Sequence, residues 1–112
     1  PEKLPRKVLA MCERPENSLH LSVASVWELQ IKQTLGKLTM QQPLKAILDE
    51  QQQINSMEVL PVKLNHLWRL SDLPRVHNDP FDRLLIAQAI VEDMSLVSPD
   101  QMFSSYPVKL FW

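Results

Sequence analysis

Glycine is almost absent from this sequence: Gly36 is the single glycine among 112 residues. Glycine-rich loops that cradle nucleotide phosphates need several positions without a Cβ for close backbone approach, so mononucleotide binding of that kind is excluded. Cysteine is equally scarce. Cys12 alone cannot close an internal disulfide and has no companion at metal-ligand spacing, which fits a reducing, cytoplasmic setting. An excess of either charge is also lacking, since 12 Lys plus Arg against 13 Asp plus Glu leave a net charge of −1. No global field draws the chain to nucleic acid or to an anionic membrane, and any RNA contact has to use a local basic patch. Long apolar runs are missing as well. The longest with a single break is Leu84-Leu85-Ile86-Ala87, resuming after Gln88 as Ala89-Ile90-Val91, far short of a membrane span and suited to a buried helix face. The amino-terminal PEKLPRKVLAMCERP lacks the apolar core of a secretory signal and has no initiator Met, so a start lying upstream, or removed by processing, is expected.

What is present is an ordinary globular composition, 45% hydrophobic and 22% charged, which reads as one compact domain over residues 1–112. Leu4, Val8, Leu9 and Met11 predict the tail of a helix over residues 3–13, and Ser18 to Leu21 a short strand. Ser22 is a good N-cap for a helix bearing Val23, Val26, Trp27, Ile31 and Leu35 and stopped by Gly36. Pro43, in a first helical turn, opens a helix from Leu44 to about residue 53. Met57 to Leu60 reads as a strand, and Leu64, Leu67, Trp68 and Leu70 as a short helix closing at Leu73-Pro74. Asp79-Pro80 pairs an N-cap with a proline at the first helical position and launches the apolar helix from Phe81 to about Glu92. Ser95 to Ser98 and Val108 to Phe111 are two more strands. Strands separated by helices predict an α/β fold with a mostly parallel sheet and helices on both faces. Ligands in such sheets sit beyond the carboxyl ends of the strands.

That rule selects Glu28, Asp82 and Asp100, each placed just after a strand or at a helix start. Carboxylate oxygens suit Mg²⁺ or Mn²⁺, and a hard cation among them is what phosphodiester hydrolysis uses. Taken singly, each acid has a structural role open to it. Glu28 has Lys32 four residues on, Asp82 favours a helix dipole, Asp79 caps, and Asp100 follows Pro99 in a turn. His77 reads as a loop residue rather than a general base, and His20 and His66 form no metal spacing with it. Trp27 and Trp68 lie on apolar stripes and are expected in the core rather than as platforms for RNA bases.

Two longer stretches and one short one carry a resemblance. Leu21 to Leu29 (LSVASVWEL) with Ile31-Lys32 and Leu35 to Leu38, then His77 to Ala89 (HNDPFDRLLIAQA), then Leu96 to Asp100 (LVSPD) resemble, in order and spacing, the acid-bearing segments of PIN-domain ribonucleases of the VapC toxin type. The resemblance implies a three-layer α/β/α PIN-like fold and a Mg²⁺- or Mn²⁺-dependent endoribonuclease toxin. It also implies an RNA substrate, a cognate antitoxin partner, a homodimer and no membrane. It makes Glu28, Asp82 and Asp100 the catalytic and metal-binding acids, Ser98 a hydroxyl that orients the pocket, and Asp79 and Arg83 supporting residues. Rival readings are a noncatalytic interaction module of the same fold and a nuclease for structured DNA, the latter disfavoured because no helix-hairpin-helix or basic extension is present.

One departure from the family pattern carries an expectation of its own. The family opens on a strand ending in an Asp, and none precedes Pro1 here. The chain therefore reads as lacking its first strand, with catalytic competence in doubt. Strands near Ser18–Leu21 and Ser95–Ser98 are then expected to flank a gap, or to be bridged by another segment, because unpaired strand edges in a buried parallel sheet are costly.

Overall fold

The computed structural model describes residues 18–40, 42–76 and 78–112. The helix expected over residues 3–13 and the loop position His77 lie outside the described residues. Two compact units are present, one ending at Pro61 and the other running from Val62 to Trp112.

In the first unit β1 (His20–Ser22) leads into α1 (Val23–Thr34), then α2 (Leu44–Ile54), and β2 (Glu58–Leu60) returns beside β1. The pair is parallel, with Leu21 opposite Val59, as a helical crossover requires. The second unit holds α3 (Leu64–Ser71), α4 (Pro80–Val91), β3 (Ser95–Val97), a 3₁₀ turn (Gln101–Ser105) and β4 (Lys109–Phe111). There β4 lies parallel to β3, with Leu96 opposite Leu110. Among the described residues β1 is bonded to β2 and β3 to β4, each pair in its own ladder.

The helix ends are set by local chemistry. Ser22 both closes β1 and caps α1: its backbone is extended (φ −71°, ψ 141°), and its Oγ accepts from the Ala24 N–H at 3.1 Å. Because an N-cap residue is extended, the strand runs on into the cap, past the Leu21 at which the sequence pattern ends it. At the other end the Gly36 N–H donates to Gln33 O at 3.1 Å and the Lys37 N–H to Lys32 O at 2.9 Å. With φ +76° at Gly36, this is the paired closure of a Schellman motif. The end of α4 uses the same closure with Asp93 at the left-handed position, φ 55°. Its N–H donates to Ile90 O at 3.2 Å, and the Met94 N–H to Ala89 O at 2.8 Å. Pro43 stands one position earlier than expected. It is the N-cap of α2, with ψ 142°, and its carbonyl accepts the first helical bond from Ile47.

The core of the second unit gathers Leu73, Ile86, Ala87, Phe103 and Tyr106, with Leu70, Ile90, Leu96 and Leu110 packed against it. The apolar run of α4 is buried as its composition predicts. Full burial of Ile86 is worth about 1.5–3 kcal/mol.

Both tryptophans expected in the core are at the surface: Trp27 is 59% exposed and Trp68 64%. Steps of 100° per residue explain the correction. On α1 the covered side carries Ala24, Glu28 and Ile31, while the adjoining sector with Val23 and Trp27 is exposed. On α3 the buried position is taken by His66, while Leu64 and Trp68 stand on the opposite side and Leu67 on the flank.

Candidate active site

The start of α4 is the most tightly built part of the candidate site. Asp79 is extended (φ −67°, ψ 114°), and its Oδ1 accepts from the Phe81 N–H at 2.9 Å and the Asp82 N–H at 3.2 Å. Pro80 fills the first helical position, where a missing N–H costs nothing. Asp79 is thereby a cap. Asp82 follows at the third helical position, half-buried, where a carboxylate is favoured by the positive end of the helix dipole.

Asp100 is exposed and caps the 3₁₀ turn, its Oδ1 accepting from the Met102 N–H at 3.0 Å. Its own N–H donates to Ser98 Oγ at 3.1 Å. The Ser98 N–H in turn donates to Phe111 O at 3.2 Å, so the hydroxyl that holds the Asp100 backbone is itself anchored to β4. Glu28 lies in the second turn of α1, with Oε2 3.8 Å from Lys32 Nζ, the i,i+4 pair its spacing predicts.

Hydrogen bonds thus bring Asp79 to Asp82 and Ser98 to Asp100, while Glu28 belongs to the first unit and the other acids to the second. Among the described residues no group of three or more His, Cys, Asp or Glu is placed to hold a metal ion. The oxygen donors are of the type Mg²⁺ and Mn²⁺ take. An open groove of about 460 Å³ runs along α1 between Trp27 and Leu35, and none of the candidate acids lines it.

The PIN domain family model matches residues 1–109, nearly the whole sequence. The chain belongs to the PIN domain family. Curated proteins and solved structures gave no match. A PIN domain has the mixed α/β, PIN-like α/β/α fold, and the four helices and parallel strand pairs among the described residues agree with it. Members of the family are generally nucleases, and they usually use Mg²⁺ or Mn²⁺. No helix among the described residues of this PIN domain is long and apolar enough to cross a membrane.

Sequence reasoning passed over one polar cluster in this PIN domain. His66 is fully buried, its Nδ1 accepting from the Lys63 N–H at 3.0 Å and lying 3.4 Å from Gln88 Nε2. Gln88 is 1% exposed. A signal was available. His66 shares a helical face with Leu70 and Leu73, and Gln88 interrupts an otherwise apolar run, so each is a polar side chain at a core position.

Proposed function

We propose that the intact protein that carries this PIN domain, one domain over residues 1–112, is a metal-dependent endoribonuclease of the VapC toxin type that hydrolyses RNA phosphodiester bonds in the cytoplasm. Glu28, Asp82 and Asp100 are its proposed acidic pocket, and Mg²⁺ or Mn²⁺ its proposed cofactor. The proposed partners are a cognate antitoxin that restrains it and a second copy of the chain. The observation that carries this reading is the construction of the α4 start in a chain matched by the family over residues 1–109. There the Asp79 carboxylate fixes the Asp82 backbone at 3.2 Å, at the head of a helix whose Ile86 and Ala87 are wholly buried. A rigid base of this kind holds a reacting carboxylate in place, which is the main contribution a protein makes to positioning. Ser98 does the same for Asp100. A bound hard cation would supply charge stabilisation at the phosphate oxygens.

A second reading, a noncatalytic PIN-fold interaction module, is favoured by the exposed apolar stripes on α1 and α3, centred on Trp27 and Trp68. One experiment separates the two: cleavage of single-stranded RNA by the wild type and by Asp82→Asn across a Mn²⁺ titration, with thermal unfolding alongside. Mn²⁺-dependent cleavage that vanishes in Asp82→Asn at an unchanged Tm supports the nuclease. No cleavage by the wild type at any Mn²⁺ concentration supports the module. Undiminished cleavage by Asp82→Asn refutes the role given to that residue.

A further inference from the structure

Arg83 follows Asp82 in the chain, and its guanidinium turns back onto the preceding helix. Nη1 donates to the carbonyl of Pro74 at 2.8 Å and Nη2 to the carbonyl of Leu70 at 3.4 Å. Leu70 is the last residue but one of α3, and its carbonyl, with Pro74 four residues on and so no helical amide there, accepts the Leu73 N–H at 3.2 Å and keeps a lone pair for a second donor. A cation there also meets the negative end of the helix dipole. Pro74 lies in the connection between α3 and α4. A planar fork carries its donors on separate nitrogens in fixed directions and so spans two carbonyls set apart, whereas an ammonium offers its three donors from one point.

The consequence is mechanical. Arg83 ties the end of α3 and the middle of the connection to the first turns of α4, where Asp79 Oδ1 holds the amides of Phe81 and Asp82. Asp79 caps the same first turn that carries Arg83, so the hold of Arg83 on the end of α3 and on Pro74 bears on the turn that Asp79 closes. The Arg83 N–H also donates to Asp79 O at 3.1 Å, the first helical bond of α4.

We infer that Arg83 is a positioning residue: through the carbonyls of Leu70 and Pro74 it holds the end of α3 against the first turn of α4, and with it the Asp79 cap and the Asp82 carboxylate, rather than binding RNA itself. The kinetic consequence rests on the nuclease reading, and the structural consequence does not.

The test uses the full chain as wild type, Arg83→Gln, Arg83→Lys and Asp82→Asn, with single-stranded RNA and Mn²⁺, and amide hydrogen exchange at Phe81 and Asp82. Displacing a reacting group by about 1 Å costs on the order of 100-fold, so Arg83→Gln is expected to lower kcat by about 10- to 100-fold with KM unchanged. Arg83→Lys, which can still reach one carbonyl, is expected to recover part of kcat. Exchange at Phe81 and Asp82 is expected to quicken in Arg83→Gln. A raised KM at unchanged kcat, with a shallower salt dependence, would mean that Arg83 meets a phosphate, and overturns the inference. Unchanged kcat together with unchanged exchange overturns it equally. If the wild type cuts no RNA, the nuclease reading fails by itself, and exchange at the two amides alone decides the role of Arg83. If Arg83→Gln does not fold, Arg83→Lys against wild type carries the same comparison.

Discussion

His66 Nε2 lies 2.7 Å from Glu92 Oε2 and joins the first turn of α3 to the end of α4. The Lys63 N–H can only donate, so His66 Nδ1 is the acceptor and Nε2 carries the proton given to the carboxylate. With Arg83 linking the opposite ends of the same two helices, the α3–α4 pair is held at both ends by polar contacts.

That arrangement makes His66 structural. His66→Leu keeps the bulk but removes the acceptor for the Lys63 amide and the donor to Glu92, and is expected to cost about 1–3 kcal/mol. A double-mutant cycle with Glu92→Gln, read from urea midpoints, should give a coupling on the order of 0.5–3 kcal/mol. Strict additivity would mean that the pair contributes nothing as a pair.

Asp79 and Asp82 are expected to separate stability from activity. Asp79→Ala removes the acceptor of two amides and should lower stability by about 1 kcal/mol, the usual loss of a cap. Asp82→Asn keeps the shape and should leave the unfolding midpoint nearly unmoved while cleavage disappears. Thermal unfolding and RNA cleavage measured on both variants check the contrast.

The Tyr106 hydroxyl is buried and has no hydrogen-bond partner among the described residues. Tyr106→Phe is therefore expected to be neutral or to stabilise by up to about 1 kcal/mol, because an unsatisfied buried donor is removed without a cavity. A loss of more than about 1 kcal/mol in denaturant unfolding would show that the hydroxyl has a partner.

Lys109 Nζ lies 2.7 Å from Asp93 Oδ1, and this hydrogen bond, with the charge of the ammonium, holds the Asp93 carboxyl below its ordinary value of 3.8. A depressed carboxyl contributes stability that is present above its unfolded value and lost as the pH falls through the folded one. Both side chains are exposed, so the contribution to stability is small. Lys109→Ala should move the Asp93 titration upward toward 3.8 in an NMR pH series and leave the unfolding midpoint at neutral pH nearly unchanged.

Residue type and spacing are enough wherever a feature depends on neighbours a few residues away. The Ser22 cap, the Gly36 stop, the Asp79-Pro80 start of α4 and the Glu28–Lys32 pair all close within five residues, so residue type and spacing suffice. The apolar run Leu84 to Val91 likewise announced a buried helix, and the three acid-bearing stretches announced the family. Which sector of α1 and of α3 is covered follows from packing alone. On α1 the apolar residues spread over adjoining sectors, and Trp27 fell on the exposed one. On α3 the histidine rather than the tryptophan went inside, because its carboxylate partner is 26 residues away and sequence periodicity cannot see a hydrogen bond made across that distance. The role of Arg83 is of the same kind: its identity is read from the motif, but the carbonyls it holds are brought to it by the packing of α3 on α4.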